Sequence, residues 1–369
     1  MTMSSEGSLS AVVLAAGEGT RMRSERPKPL HRLCGRPMVL HVLYALAELE
    51  LQRAVVVVGH SAAWVTKSVG DQAPHDLKLD FVEQQVQRGT GDAVLVALTA
   101  FPEEDDEGDI VVLPGDTPLL RPPTLAALVR AHRREEAAAT VLTAKLANPA
   151  GYGRIVRDRN GNVARIVEHA DATDEEREVD EVNTSIYVFR RSVLAPALRR
   201  LTPDNSQGEF YLTDVIAVLH DAGYSVVSEV IDDPMEAAGV NDRHQLAVAE
   251  AELRDRINER WMRRGVTMVD PEATYVDTTV ELSADVVLYP GTHLQGSTTV
   301  AGGAELGPNT QLADCTVGER AVVTSTVGRD CEIGADAHVG PWAYLAPGTS
   351  VAPGSTTGPC FTGGIPDAT

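Results

Sequence analysis

The sequence predicts an α/β domain with a mostly parallel sheet, a connecting helix, and then a short parallel β-helix. Three observations carry that expectation. Up to about residue 241, apolar runs of strand length alternate with stretches of helical periodicity, the pattern of a parallel sheet covered on both faces. Residues 242–264 hold no Pro or Gly and are rich in Ala, Leu, Glu and Arg. Beyond Gly265, single aliphatic residues recur at six-residue intervals among Gly, Asp, Pro and Thr, the period of hexapeptide coils.

In chain order, residues 11–16 read as a first buried strand, 54–58 as a second, 77–82 as a third and 110–113 as a fourth. Between them, 38–49 and 124–136 carry apolar residues at helical spacing. Residues 153–158 and 163–169 flank Asn160-Gly161, which reads as a hairpin, and 182–189 is a further strand. In 242–264, Leu246, Ala249, Leu253, Ile257 and Trp261 recur at three- and four-residue steps, one helix of about six turns that bridges two domains. The six-residue series then runs Val280, Val286, Leu294, Val300, Leu306 and Leu312, and resumes at Val327, Ile333, Val339, Leu345 and Val351. The expected divisions are 1–241, 242–264, 265–352, and a tail at 353–369 that has lost the repeat and is expected to be frayed.

The formal net charge of -21 argues against binding nucleic acid or an anionic membrane surface, because the overall field repels phosphate backbones. No apolar run approaches the length of a membrane span, and the N-terminus lacks the basic and apolar regions of a signal peptide. Cys34, Cys315, Cys331 and Cys360 show no Cys-x-x-Cys spacing. They read as reduced thiols of a cytoplasmic protein.

Residues 14–30 carry the most chemistry. They follow the first strand and hold Gly17, Gly19, Arg21 and Lys28, the two cations set on either side of the turn. Glycine lets a ligand approach the backbone, and N–H groups with fixed cations make a seat for a polyphosphate. A third glycine is missing where a dinucleotide fingerprint needs one, and no Gly-Lys-Ser/Thr follows as in a P-loop. Asp116 follows the strand at 110–113, at the sheet end where open α/β folds bind ligands, and a hard oxygen donor there suggests Mg²⁺. Gln84 with Gly89-Thr90-Gly91 offers an amide to a base edge. Glu168 and Gly153 on the hairpin arms, and Asn183 on the next strand, offer polar groups to a sugar. Asn241 is a second candidate metal ligand. Each has a plainer alternative: a helix entry at Gly-Thr-Gly, a solvated strand residue at Glu168, a helix cap at Asn241 or Asp242.

Gly17-x-Gly-Thr-Arg followed by Pro27-Lys28 resembles the signature loop of the sugar-phosphate nucleotidyltransferases. Gly151-Tyr-Gly-Arg-Ile-Val, Ile166-Val-Glu-His-Ala-Asp-Ala-Thr-Asp-Glu-Glu, Asn205-Ser-Gln-Gly-Glu-Phe-Tyr-Leu-Thr-Asp and Gly239-Val-Asn-Asp-Arg resemble one family more specifically. It is the bacterial bifunctional N-acetylglucosamine-1-phosphate uridyltransferase/glucosamine-1-phosphate N-acetyltransferase, and the resemblance covers residues 8–352. It implies a Rossmann-like nucleotidyltransferase domain followed by a left-handed β-helix. It implies Mg²⁺-dependent transfer from UTP to N-acetylglucosamine 1-phosphate in the cytoplasm, giving the UDP-sugar for peptidoglycan, and a homotrimer through the β-helix. At matching positions, Ala15, Ala16 and Gly17 would line the nucleotide, with Gln84, Gly89 and Thr90 recognising uracil. Arg21 and Lys28 would hold the phosphates as the catalytic cations, Asp116 and Asn241 would hold the metal, and Gly153, Glu168 and Asn183 would bind the N-acetylglucosamine moiety.

The chain also departs from that family. Acetyl transfer there uses a His, a Tyr and an Asn of later coils in a His-x-x-Tyr-x-Gly setting, a string this sequence lacks. The family's Leu-Arg-Pro-Gly reads Leu345-Ala346-Pro347-Gly348 here, and alanine supplies no charge for a sugar phosphate. Acetyltransferase activity is therefore expected to be absent. Asp92 stands where a His often follows Gly-Thr-Gly, and Ser185 where Gly often follows Asn-Thr; both bear on substrate choice. Two other readings stay open: a nucleotidyltransferase taking glucose 1-phosphate with UTP or dTTP, and a non-catalytic regulatory relative.

Overall fold

A computed structural model describes residues 7–102 and 108–364. The chain divides into two compact units, residues 1–31 with 37–246, and residues 32–36 with 247–369. Among the described residues, no helix is long and apolar enough to cross a membrane.

The first unit is built on a nine-stranded sheet. Its strands are β1 (Leu9–Ala15), β2 (Arg53–Val58), β3 (Leu79–Glu83), β4 (Asp109–Pro114), β5 (Ala139–Lys145), β6 (Arg154–Arg157), β7 (Val163–Val167), β8 (Glu181–Arg190) and β9 (Val226–Val230). The main path runs β9-β5-β8-β4-β1-β2-β3, with β6 paired to β8 and β7 to β6. β1, β2 and β4 are near-continuous runs of Val, Leu, Ile and Ala because both faces are covered. Val13 and Val56 meet Leu40 and Leu43 of the helix Met38–Ala47 on one face. Val12, Val55 and Val57 meet Val94 and Ala97 of the helix Thr90–Leu98 on the other.

The pairing is parallel across β4-β1-β2-β3 and between β5 and β9. β8 runs antiparallel to both β4 and β5, so the sheet is more mixed on that side than the alternation alone suggests. β1 has β2 on one side and β4 on the other, which opens a crevice at their carboxyl ends. The hairpin forms as expected: β6 and β7 pair antiparallel, and Gly161 turns at φ +85. The helices Ala62–Gly70 and Thr90–Leu98, and the strands β5 and β9, join the elements legible in the sequence.

The second unit holds most of the helix Arg243–Met262. Ala249, Ile257 and Trp261 of the expected stripe are buried, and Ile257 and Trp261 pack with Val266, Met268 and Cys34. Fully buried Asn258 donates to the carbonyls of Pro271 (2.8 Å) and Thr274 (2.9 Å), which ties the helix to the first coil. Short strands then stack in parallel on three sheets, the coil of a left-handed β-helix.

Three interior columns run Met268-Leu288-Leu306-Val323-Val339, Val276-Leu294-Leu312-Gly328-Leu345 and Leu282-Val300-Val317-Ile333-Val351. Two residues before a column position, a small or β-branched side chain is also buried, as at Thr292, Thr298, Ala304 and Thr310. Val280 and Val286 are of this kind. Val327, expected inside, points out and is 46% exposed, while Gly328 takes the interior place. The six-residue step shortens to five between Leu312 and Val317, between Val323 and Gly328, and between Gly328 and Ile333, each moving the phase by one residue. In the same stretch the Sγ atoms of Cys315 and Cys331 lie 3.3 Å apart in the interior. The expected tail at 353–369 is not uniformly frayed, because Thr362–Gly363 pairs in parallel with Tyr344–Leu345. Residues 365–369 of it lie outside the described residues.

Candidate active site

The loop after β1 is shaped by its glycines. A Cβ at Gly17 would meet nothing within 4 Å, so the backbone there is open to a ligand. Gly19 lies at φ +64, and a Cβ on it would sit 2.6 Å from Lys28 Cβ. Glycine is therefore what lets the Lys28 segment fold back across the turn. Gln87, to which the sequence assigned no role, donates from Nε2 to the Ala16 carbonyl at 2.5 Å.

β4 delivers Asp116 to the same crevice, and the Val240 N–H bonds its carbonyl at 2.9 Å. Lys28 Nζ donates to Asp116 Oδ2 and, at 2.8 Å, to Asn241 Oδ1. Arg21 Nη2 donates to that same Asn241 oxygen at 2.8 Å. The two cations thus converge on one acceptor instead of standing on either side of the turn. Helix capping falls to the neighbour: Asp242 Oδ1 accepts from the Gln245 N–H (2.8 Å), and Gln245 Oε1 accepts from the Asn241 N–H (2.7 Å). That leaves the Asn241 side chain to the site.

Asp116 and Asn241 present two hard oxygen donors at a point that already holds a cationic group. This donor pair suits Mg²⁺, which takes few protein ligands and completes its shell with phosphates and water. Among the described residues, no cluster of three or more His, Cys, Asp or Glu offers an alternative metal site.

A cavity of about 720 Å³ extends from this cluster. Ala15, Ala16, Gly17, Arg21, Lys28, Asp116 and Asn241 are among the residues that line it, as are Gln84, Gly89, Thr90, Gly153, Glu168 and Asn183. Every candidate drawn from the sequence is therefore on its wall. Gln84 is buried, and its Nε2 donates to Asp92 Oδ2 (2.8 Å) and the Gly89 carbonyl (3.2 Å).

On the sugar side, Glu168 directly follows β7 and accepts from Thr213 Oγ1 at 3.1 Å. Burial pushes its carboxyl above the ordinary range, and neighbouring Asp214 and Asp171 add to that against the Thr213 bond. Asn183 Nδ2 donates to the Tyr187 hydroxyl (2.8 Å), and its Oδ1 accepts from the Ser185 N–H (3.0 Å). Each end of that amide keeps one further hydrogen-bonding position. Thr213, Tyr187 and Gln245 also line the cavity and were not singled out from the sequence. Thr213 did lie within the Asn205–Asp214 string, but nothing local marks it as the partner of Glu168.

Residues 10–235 match the nucleotidyl transferase family. The chain is 50% identical to the Bifunctional protein GlmU of Thermobifida fusca over 333 residues, 90% of this chain and 68% of that protein. It is 50% identical to that of Mycolicibacterium vanbaalenii over 325 residues, 87% of this chain and 65% of that protein. It is 48% identical to that of Streptomyces coelicolor over 323 residues, 87% and 66% respectively. The chain thus spans about two-thirds of the length of these relatives. It belongs to the nucleotidyl transferase family and is a relative of the bifunctional GlmU proteins.

Proposed function

We infer that this chain transfers a uridylyl group from UTP to N-acetylglucosamine 1-phosphate, forming UDP-N-acetylglucosamine and pyrophosphate. The observation that carries it is the meeting of Lys28, Arg21, Asp116 and Asn241 at the carboxyl ends of β1 and β4, inside a cavity with room for a nucleotide and a sugar.

A phosphate oxygen of the sugar 1-phosphate attacks the α-phosphorus of UTP. A new P–O bond forms there as the bond from that phosphorus to the bridging oxygen breaks, and pyrophosphate departs in line. The nucleophile is already an anion, so no general base is required. Catalysis rests on alignment and on neutralising charge. Lys28 and Arg21 supply fixed positive charge at the phosphates. Asp116 and Asn241 would hold Mg²⁺, which when bound offsets the negative charge of the polyphosphate. Glu168 and Asn183 would accept and donate hydrogen bonds at the sugar. Ala346 is buried and uncharged, so acetyl transfer is left out of the activities proposed for this chain.

The proposed homotrimer has a candidate face. One outward row of the β-helix reads Tyr275-His293-Gln311-Val327-Tyr344-Thr362 and carries no carboxylate. The other two rows carry Glu305, and Glu281 with Glu332. Sedimentation of the protein and its Val327→Glu variant tests this face, with a monomeric variant expected.

The transfer reading is tested by pyrophosphate release from UTP and N-acetylglucosamine 1-phosphate, with and without Mg²⁺, in the protein and its Asp116→Ala variant. Release that needs both the metal and Asp116 is expected. Equal release from glucose 1-phosphate with UTP or dTTP would shift the substrate, and none from any pair would remove the reading.

A further inference from the structure

We propose that Asp92 locks the side-chain amide of Gln84 in one orientation, so that the base subsite selects a ring edge carrying an N–H donor, as uracil does at N3. Asp92 is thus a positioning residue for base choice. The proposal rests on the uridine-nucleotide reading above and names what enforces it in this chain.

The argument is an accounting of hydrogens. Gln84 follows β3, its own N–H is tied to the Val58 carbonyl at 2.8 Å, and its side chain is buried at the cavity wall. A primary amide nitrogen carries two N–H groups. One goes to Asp92 Oδ2 at 2.8 Å and the other to the Gly89 carbonyl at 3.2 Å. A carboxylate and a carbonyl only accept, so both must face the nitrogen. Turning the amide over would set Oε1 against two acceptors and lose both bonds. Oε1 is left as the polar atom of Gln84 with no donor on it among the described residues. It can accept from an N–H on the base edge and gives nothing to a bare ring nitrogen, which is what cytosine presents at N3.

The frame that holds these acceptors is rigid. The Gly89 carbonyl also accepts from the Ala93 N–H at 3.2 Å, inside the first turn of the helix Thr90–Leu98. Gly89 lies at φ +115, and a Cβ there would be 2.6 Å from the Phe210 carbonyl. Gly91 donates to the Phe210 carbonyl (2.8 Å), Phe210 to the Arg88 carbonyl (2.8 Å) and Leu212 to Thr90 Oγ1 (3.0 Å). Asp92 sits in the first turn of that helix, where a negative side chain is favoured. The Gly89 carbonyl is thus fixed against the amide nitrogen, and a reversed amide would also leave the Asp92 carboxylate without the donor it has now.

Asp92→Asn tests this directly, because asparagine brings a donor that can face Oε1 and so permits the reversed amide. Binding of Mg²⁺-UTP and of Mg²⁺-CTP to the full chain is measured by titration calorimetry, with no sugar phosphate present and hence no turnover. The preference for UTP over CTP is expected to fall about tenfold in Asp92→Asn and about threefold in Asp92→Ala, where the Gly89 carbonyl still holds the amide. A role in the helix alone would weaken both nucleotides alike and make Ala at least as damaging as Asn. A preference within twofold of the parent's in both variants overturns the proposal, as does a parent that binds both nucleotides equally. Because binding is read without chemistry, a failure of pyrophosphate release would count against the transfer reading and leave this result standing on its own.

Discussion

The two units use polar atoms in opposite ways. In the first, side chains from distant parts of the chain bring charge together at one point: Lys28, Arg21 and Asp116 meet around the Asn241 amide, and Glu168 is held in a buried place that raises its pKa. In the β-helix the columns are aliphatic, and the hydroxyls beside them are satisfied within a few residues, as where Thr292 donates to the Tyr289 carbonyl and Thr298 to the Gln295 carbonyl, both at 2.7 Å. Charge held close and partly desolvated is what phosphoryl transfer needs, and it costs stability. A repeating apolar column supplies stability and nothing to react.

If that division is right, substitutions should separate function from stability cleanly. Lys28→Ala carries the largest expected effect on function. Pyrophosphate release should slow by about 10³-fold, while the melting temperature stays close to the parent's. A similar loss of both would break the comparison. Leu312→Ala should do the reverse. Leu312 is buried, and its Cδ2 closes the space over Gly328. Its truncation is expected to cost about 2–5 kcal/mol in urea unfolding, with turnover per folded molecule unchanged.

What could be read from the sequence follows the same division. Gly17, Asp116 and Asn241 stand out locally because each sits just past a recognisable strand or just before a recognisable helix, and Gly19 and Lys28 because they share the loop that brings glycines and cations together. Their meeting could not be read that way, since Arg21 and Asn241 are 220 residues apart and the shared acceptor is set by tertiary structure. The strand β5 was missed because buried Thr140 and Thr143 interrupt its apolar run. They are tolerated inside because Thr143 Oγ1 donates to Glu181 and the Thr140 hydroxyl pairs with His132, bonds that no local pattern reveals. In the β-helix the six-residue period located the coils. It misplaced Val327, because a glycine in an interior column gives no hydrophobic signal to mark the five-residue steps on either side of it.

Glu168→Gln sharpens the comparison within the first unit. Burial raises the Glu168 pKa in the folded state, so folding favours its protonated form. Its contribution to stability is fully present below the unfolded value and is lost as pH rises through the folded one. Above the ordinary carboxylate range the raised pKa of this partly buried group is therefore a cost to the folded state. The glutamine variant should therefore melt higher than the parent at pH 7, with the difference shrinking as pH falls toward the ordinary carboxylate range. If Glu168 accepts a sugar hydroxyl, KM for the sugar 1-phosphate should rise about tenfold in the same variant. Paired thermal melts and initial rates across pH measure both. A variant that melts lower at pH 7 would show that the site is not held at the expense of stability.

Gly328→Ala is the smallest effect and tests the β-helix on its own terms. A Cβ at this position would lie 3.0 Å from both Leu312 Cδ2 and Cys331 Sγ. Alanine suits a strand better than glycine by roughly 0.5–1 kcal/mol, but crowding a filled interior opposes that gain. A net loss of about 1 kcal/mol is expected in urea unfolding. In a Cys331→Ala background the sulfur is gone and half of the crowding with it, so the same Gly328→Ala change should become neutral or stabilising there. Additivity of the two substitutions would mean that the column does not feel its neighbours, and the interior would then be looser than the stacked register implies.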